Sequence, residues 1–331
     1  MTSTVDSPLV SVVIPFHNTG EYLREAIDSV LSQTYTNFEL ILQDNASDDG
    51  GTEIPQEVAR RDPRIRFFRL DALLSQVANY NLALSRISPH SAYCKIVQAD
   101  DFMFPDCLRC MVDVAERSPR IGLASSFRLE HLSVEGEGLP YTREVIDGRE
   151  LARLHLLNQY FLFGSQSTVM YRSAVVRERQ PSFYTEGRLH EDTEACYEIL
   201  RTWDFAFVHQ ILTYSRVREG SIYERMRPLD TGILDKLIVL HKYGRDFLSE
   251  SEFEGRWREV GSRYYRCLAR AALTARGSNY WQFHREGLET IGLRIEPLRL
   301  ARAISHEALT IALCPLQILD LVKQWCGRSA A

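Results

Sequence analysis

Residues 93–106 read YCKIVQADDFMFPD. An apolar, strand-like run, Ala92–Gln98, stops at two adjacent aspartates, Asp100 and Asp101, and apolar residues resume at once. Two carboxylates side by side at the end of a buried strand repel each other and lose solvation. A chain that keeps both needs a cation or a polar ligand for them. On either side of this stretch, short apolar runs with polar ends recur. Leu9–Pro15 (LVSVVIP) is a β-branched run that reads as a buried strand, and Phe38–Gln43 (FELILQ) is a second one that ends at Asp44. Ile65–Leu70 and Gly122–Glu130 read as further strands. Helical spacing lies between them: Leu23, Ala26, Ile27, Val30 and Leu31, then Glu53–Arg61, then Val77–Ser85. Pro105 suits a first helical turn, followed by the stripe Leu108, Met111, Val112 and Ala115. Strands alternating with helices predict an α/β fold with a mostly parallel sheet covered on both faces.

After about residue 131 the alternation fades. Ser133–Gly148 reads as a surface excursion. Ser167–Arg172 and Phe205–Val217 read as strands, with a helix at Thr193–Trp203 between them. From about Leu229 the pattern is helical to the end, so a division into 1–228 and a C-terminal helical region, 229–331, is expected. The charge divides in a similar way. The chain carries a net charge of -5, with a balance of -9 over residues 1–230 and +4 from Thr231 onward. An acidic front half argues against a nucleic-acid partner held by phosphate contacts. Seven cysteines without regular spacing fit a reducing compartment. Cys107 and Cys110 form a CxxC on a predicted helix with no second pair, which reads as buried packing and not as a zinc site. The N-terminus, MTSTVDSP, lacks the pattern of a secretory signal. No apolar run reaches the ~20 residues of a membrane span. A cytoplasmic protein is expected, with the basic tail suited to the inner face of a membrane or to a homodimer contact.

Ligands in open α/β sheets bind beyond the carboxyl ends of the strands. Three such ends are polar here: Pro15-Phe16-His17-Asn18, Asp44-Asn45 and Asp100-Asp101. A dinucleotide site would want GxGxxG after the first strand, where PFHNTGEYL offers one glycine. A GxxxxGK[ST] phosphate loop is absent. A nucleoside diphosphate held through a divalent cation fits better, because Mg2+ and Mn2+ take carboxylates and share their other positions with phosphate oxygens.

VSVVIPFHN, the DNASDDG loop, the SQVANYN segment and QADDFMFPD, in that order, resemble glycosyltransferase family 2 over about residues 8–225. The resemblance implies a GT-A fold and transfer of a sugar, with inversion, from a nucleotide donor, UDP- or dTDP-linked, to a glycan or lipid-linked acceptor in glycan or polysaccharide biosynthesis. It implies that Pro15, Phe16, His17 and Asn18 open the nucleotide pocket, with Asn81 on the donor side. Asp44 is implied to hydrogen-bond the base, Asp100 to lie near the ribose, and Asp101 to hold Mg2+ or Mn2+ on the diphosphate. Alone, Asp44 reads as a loop-capping aspartate and Asp100-Asp101 as helix N-terminal acids.

The second half resembles the acceptor side of the same family. In LHEDTEACYEIL, Asp192 matches the catalytic base, and Glu191 is a candidate for acceptor binding. Phe163-Gly164-Ser165-Gln166-Ser167 is similar to the acceptor-side segment. Two positions depart from the family. Gln98 stands where many relatives carry an acid. Arg218 stands where some relatives carry a metal- or diphosphate-holding histidine, and a guanidinium pairs with phosphate but ligates no metal. No QxxRW motif follows, which argues against a processive polysaccharide synthase. Gln98 and Arg218 also suggest an alternative, a catalytically silent sugar-nucleotide-binding or scaffold protein of the same fold. A sugar-phosphate nucleotidyltransferase is disfavoured, since no Gly-rich loop bearing Arg and Lys follows the first strand.

Overall fold

Val10–Phe16 (β1) is buried at every position, so both of its faces are covered. That is the environment an unbroken β-branched run requires. The computed structural model describes residues 7–163, 165–187, 190–217 and 225–313. The chain forms two compact units, 1–217 and 218–331.

In the first unit, β1 is followed by Gly20–Leu31 (α1), Phe38–Asp44 (β2), Glu53–Arg61 (α2), Ile65–Arg69 (β3), Gln76–Leu84 (α3) and Tyr93–Ile96 (β4). Next come Phe102–Met103 (β5), Cys107–Ala115 (α4), Ile121–Glu130 (β6), Ser133–Glu135 (β7), Val145–Ile146 (β8) and Gly148–Leu156 (α5). Met170–Arg172 (β9), Ser173–Glu178 (α6), Glu191–Leu200 (α7) and Asp204–Ser215 (β10) complete it. The strands form one sheet in the order β3-β2-β1-β4-β9-β6-β10-β5, with β7 beside β6 and β8 beside β10. β1 runs parallel to β2 and to β4, β2 to β3, and β6 to β10. β9 is antiparallel to both of its neighbours. The expected mixture of a mostly parallel sheet and flanking helices is what the chain adopts. Because β1 lies between β2 and β4, the chain leaves it in opposite directions. The crevice beyond its C-terminal end is the place where such sheets bind ligands.

Three details differ from the sequence reading. The apolar residues after Asp101 form a short strand that the sequence reading did not name. Phe102 and Met103 pair antiparallel with Tyr214 and Thr213 of β10. The strand expected from Ser167 begins only at Met170, because Gln166–Thr168 form a 3-10 turn. Inside the expected excursion, Asp147 caps α5 by accepting from the Glu150 N–H at 3.0 Å.

In the second unit, Thr231–Phe247 (α8), Glu250–Leu273 (α9), Ser278–Glu289 (α10) and Pro297–Leu313 (α11) are helical. Ser249 and Glu252 close a capping box on α9. Tyr264 and Tyr265 are buried, and Trp257 stacks on Phe253 at 5.9 Å between centroids. His284 Nε2 donates to the Leu229 carbonyl at 3.0 Å, and its Nδ1 accepts from the Tyr264 hydroxyl at 3.1 Å. Burial lowers this imidazole to about 4, so it is neutral, as that pair of bonds requires. Among the described residues, no helix is long and apolar enough to cross a membrane.

The loops after β1 and β2 meet glycine to glycine. A Cβ on Gly51 would stand 2.8 Å from the Gly20 Cα. Asp49 ties the seam by accepting from the Gly20 N–H at 3.0 Å and the Gly51 N–H at 2.9 Å. Gly51→Ala is therefore expected to cost about 1–3 kcal/mol by forcing two backbones apart. The readout is a lower denaturant midpoint with an unchanged slope. An unchanged midpoint would show that the seam has room for a methyl group.

Candidate active site

The crevice is built from three strand ends and one helix start. At the end of β1, Pro15 and Phe16 are buried in the sheet, whereas His17 and Asn18 are exposed. His17 Nδ1 donates to the Asn45 carbonyl at 2.9 Å. Asn18 adopts φ 52, a left-handed conformation that asparagine tolerates. This turns its amide onto the β2 loop. Its Nδ2 donates to Asp48 at 2.8 Å, and its Oδ1 accepts from the Asp48 N–H at 3.0 Å.

Asp44 is fully buried. Its Oδ1 accepts from the Ser47 N–H at 2.9 Å, its Oδ2 from the Thr52 hydroxyl at 3.2 Å, and Arg69 Nε lies 3.5 Å from Oδ2. The carboxylate expected at a nucleotide base thus folds its own loop, the role an isolated aspartate takes in a turn. Asn81, expected on the donor side, is used in a similar way. Its Nδ2 donates to the Tyr184 carbonyl at 2.9 Å, and its Oδ1 accepts from the Tyr184 N–H at 2.8 Å. Both ends of this amide clamp the segment that leads into α7.

At the end of β4, Asp100 is half-buried and Asp101 is 3% exposed. The Asp101 Oδ1 accepts from the Arg216 N–H at 2.9 Å. Its Oδ2 accepts from the Ser167 hydroxyl at 2.6 Å and the Ser215 hydroxyl at 3.4 Å. Burial raises this carboxyl to about 6, against the pull of the Ser167 and Arg216 donors. The group expected to face a metal therefore faces its own protein, and Asp100 is the more open of the pair. Arg216 Nε also donates to the Asp100 carbonyl at 3.1 Å, and its guanidinium lies 4.7 Å from the Tyr22 ring centroid.

Ser167 is held from below as well. Lys95, fully buried on β4, donates from Nζ to the Ser167 carbonyl at 2.5 Å. The Gln98 N–H donates to the Ser167 hydroxyl at 3.0 Å. Beside it, Gln166 Nε2 donates to Glu191 Oε1 at 3.0 Å. Glu191 opens α7 with Asp192. Burial raises the Glu191 carboxyl to about 7, and the adjacent Asp192 charge adds to the rise. Burial also raises Asp192, which is half-buried and accepts from the Thr193 N–H at 2.6 Å.

The crevice thus brings Asp100, Asp101, Gln98, Gln166 and Glu191 into one bonded network. Arg218 and Gly164 lie outside the described residues. A separate cavity of about 610 Å3 follows the far half of α7, lined by Arg179, Glu198 and Trp203 among others, and none of the crevice carboxylates lines it. The sequence reading missed Lys95, Ser47, Arg69 and the bridging use of Gln166. One signal was present: a lysine inside the otherwise apolar YCKIV is a buried charge that must have a partner. Among the described residues no three His, Cys, Asp or Glu side chains gather as a metal cage. A site with one or two carboxylates suits a cation that takes its other ligands from phosphate and water.

A family model described as glycosyl transferase family 2 matches residues 11–179. Glycosyltransferase GlyG of Streptococcus pneumoniae serotype 4 is 25% identical over 228 residues, 65% of this chain and 73% of that protein. An uncharacterized glycosyltransferase of Rickettsia typhi is 23% identical over 269 residues, 76% of this chain and 80% of that protein. Among solved structures, S. aureus TarS 1-349 in complex with UDP-GlcNAc superposes with a TM-score of 0.61 at 15% identity, covering 90% of this chain and 88% of that one. The mannosyltransferase PcManGT from Pyrobaculum calidifontis, in complex with GDP-Man and Mn2+, gives 0.55 at 16% identity, covering 97% and 85%. The fold is that of the GT-A glycosyltransferases.

The raised Glu191 carboxyl has a consequence for stability. Between its ordinary 4.5 and about 7 the folded chain binds a proton that the unfolded chain releases. The contribution is therefore fully present below about 4.5 and is lost as pH rises through 7. Glu191→Gln lacks this loss. Its stability relative to wild type should rise between pH 4 and pH 8 by up to about 3 kcal/mol. Denaturant unfolding at a series of pH values measures the difference. A difference that stays flat with pH would show that Glu191 titrates normally.

Proposed function

This chain belongs to glycosyl transferase family 2 and is a glycosyltransferase, and on that premise we propose that it transfers a sugar with inversion from a nucleoside-diphosphate donor to an acceptor hydroxyl, with a divalent cation on the diphosphate. The observation that carries this reading is the join between two acidic ends. Asp100-Asp101 at β4 and Glu191-Asp192 at α7 are linked through Gln98 and Gln166. A transfer site needs one acidic end for the donor and another for the acceptor.

On the donor side, His17 and Asn18 stand at the mouth of the pocket, and buried Asp44 holds the loop on which the base would rest. Complexes of neighbours with UDP-GlcNAc and with GDP-Man and Mn2+ support a nucleotide-sugar donor; UDP or dTDP is our choice for this chain. We assign Asp100 to the cation, Mg2+ or Mn2+, because it is the more exposed of the pair, while Asp101 is buried among the donors Ser167, Ser215 and Arg216. Asp101, to which the resemblance gave the metal, then fixes the position of Asp100. A bound cation would offset the negative charge that gathers on the leaving diphosphate. Arg218 would pair with the same phosphates.

On the acceptor side, Asp192 is the base. The acceptor oxygen bonds to the anomeric carbon as the bond to the diphosphate breaks and its electron pair leaves with the diphosphate. The hydroxyl proton passes to Asp192. Burial raises the basicity of this carboxylate, which favours proton transfer near neutral pH. Glu191 lies beside it to receive another acceptor hydroxyl. The catalytic domain on this reading is 1–228. The helical region 229–331, with its positive balance, is suited to an anionic membrane surface near a lipid-linked acceptor or to a second copy of the chain.

Two experiments test these assignments. Asp192→Asn should lower transfer by ~10²–10⁴-fold while donor affinity stays near wild type, since the base acts only in the transition state. Normal transfer by this variant would place the base elsewhere. Calorimetry of UDP binding with and without Mn2+ tests the cation site. Asp100→Ala should abolish the metal-linked tightening, and Asp101→Asn should keep it. The reverse pattern would return the metal to Asp101.

A further inference from the structure

One set of neutral side chains in the crevice runs in a single direction. Gln76, at the first turn of α3, donates from Nε2 to the Tyr80 hydroxyl oxygen at 2.7 Å. Burial holds the Tyr80 hydroxyl far above the usual tyrosine range, so it keeps its proton. The same hydroxyl lies against the Gln98 side chain. With its oxygen accepting from Gln76, a Tyr80 proton turned towards Gln98 would extend the run. An amide has one accepting and one donating end. A Gln98 that accepts at Oε1 presents Nε2 to the next partner, and Gln98 Nε2 lies 3.3 Å from Gln166 Oε1. Gln166 in turn presents Nε2 to Glu191 Oε1 at 3.0 Å. Each donor points towards α7, and such chains polarise their members in the same sense.

The direction is tied to the charge at the end of the chain. A Glu191 carboxylate can only accept. Were every member reversed, Gln166 would present Oε1, and the carboxyl would need a proton to meet it. We propose that Tyr80, Gln98 and Gln166 form a directional hydrogen-bond chain that aims Glu191 and favours its ionised form against the pull of burial, so that Gln98 and Gln166 are positioning residues for the acceptor side. The functional part of this proposal rests on reading the crevice as a sugar-transfer site. Gln98 also donates its backbone N–H to Ser167, which bonds Asp101, so one residue touches the supports of both acidic ends. The groups that face Glu191 are His190 and Asp192 on its own helix, Gln166 from the 3-10 turn, Tyr80 from α3 and Tyr184 from the segment before α7. Of these, Gln166 is the neutral donor to its Oε1.

The test is a carboxyl titration of the full chain with no substrate present. Glutamates carry 13C at Cδ, and the Glu191 resonance is the one that Glu191→Gln removes. Loss of a donor to the ionised form raises the midpoint, so Gln166→Met should move it up by about one pH unit or more. Gln98→Met and Tyr80→Phe should move it in the same direction by less, and Gln98→Met should add nothing once Gln166→Met is present. A merely structural role would lower the melting temperature and leave the midpoint where it was. If Gln166→Met does not fold, the other two variants decide. An unchanged midpoint in both Gln98→Met and Tyr80→Phe overturns the chain. Because no donor or acceptor is used, that result is separate from any failure of sugar transfer.

Discussion

Ser167 is the residue on which the crevice hangs. Its carbonyl takes the buried Lys95 ammonium, and its hydroxyl both accepts from the Gln98 N–H and donates to Asp101. Three directions of pull fix the 3-10 turn, and the turn fixes Gln166 beside it. Each partner has a reason to stay. A fully buried ammonium cannot be left without an acceptor, and a buried carboxylate cannot be left without donors. Burial lowers the Lys95 ammonium, while the nearby Cys107 and Asp101 favour its charged form. The geometry of the site is therefore enforced by groups that never need to meet a substrate.

Much of this was legible in the sequence, and the division between what was and what was not is physical. Unbroken β-branched runs such as VSVVIP can only be buried strands, and QADDFMFPD can only end one. The same logic placed the polar strand ends together. What sequence could not give was the direction in which each polar side chain turns. Asp44, Asn81 and Asp101 all lie in the segments that carry the family resemblance, yet in this structure each one faces its own backbone or a neighbouring side chain. A motif fixes where a residue sits along the backbone, and the hydrogen-bond accounting of the folded chain decides where its oxygens go. Gln166 shows the converse. It lay in the segment read as acceptor-side, but its partners, Gln98 and Glu191, are 68 and 25 residues away in sequence, and no spacing rule reaches that far.

Burial raises both Asp101 and Glu191, and the two differ in their donors. Asp44 and Asp101 are each surrounded by fixed donors, which lets them serve as struts. Among the described residues Glu191 has a single side-chain donor, Gln166, and it is buried and sits beside another carboxyl. A group in that position rises towards neutrality, because too little in the protein compensates its charge. Such a carboxyl is costly to stability at neutral pH, and it is retained at the opening turn of α7, where the helix dipole offers some relief.

On the proposed sugar-transfer reading, that cost would set an order of events in the crevice. A strut keeps the same donors whether or not a ligand is bound. A carboxyl with one donor and a raised pKa holds its charge more firmly when a second donor arrives, and an acceptor hydroxyl is such a donor. Binding of a sugar hydroxyl at Glu191 would therefore be paired with loss of its proton, and would place a full negative charge next to Asp192. The neighbouring charge raises the proton affinity of Asp192, the direction a base needs as the acceptor hydroxyl loses its proton. On the proposed reading, two acids at the start of one helix would do more than satisfy its dipole: the first would sense the acceptor, and its charge would strengthen the second.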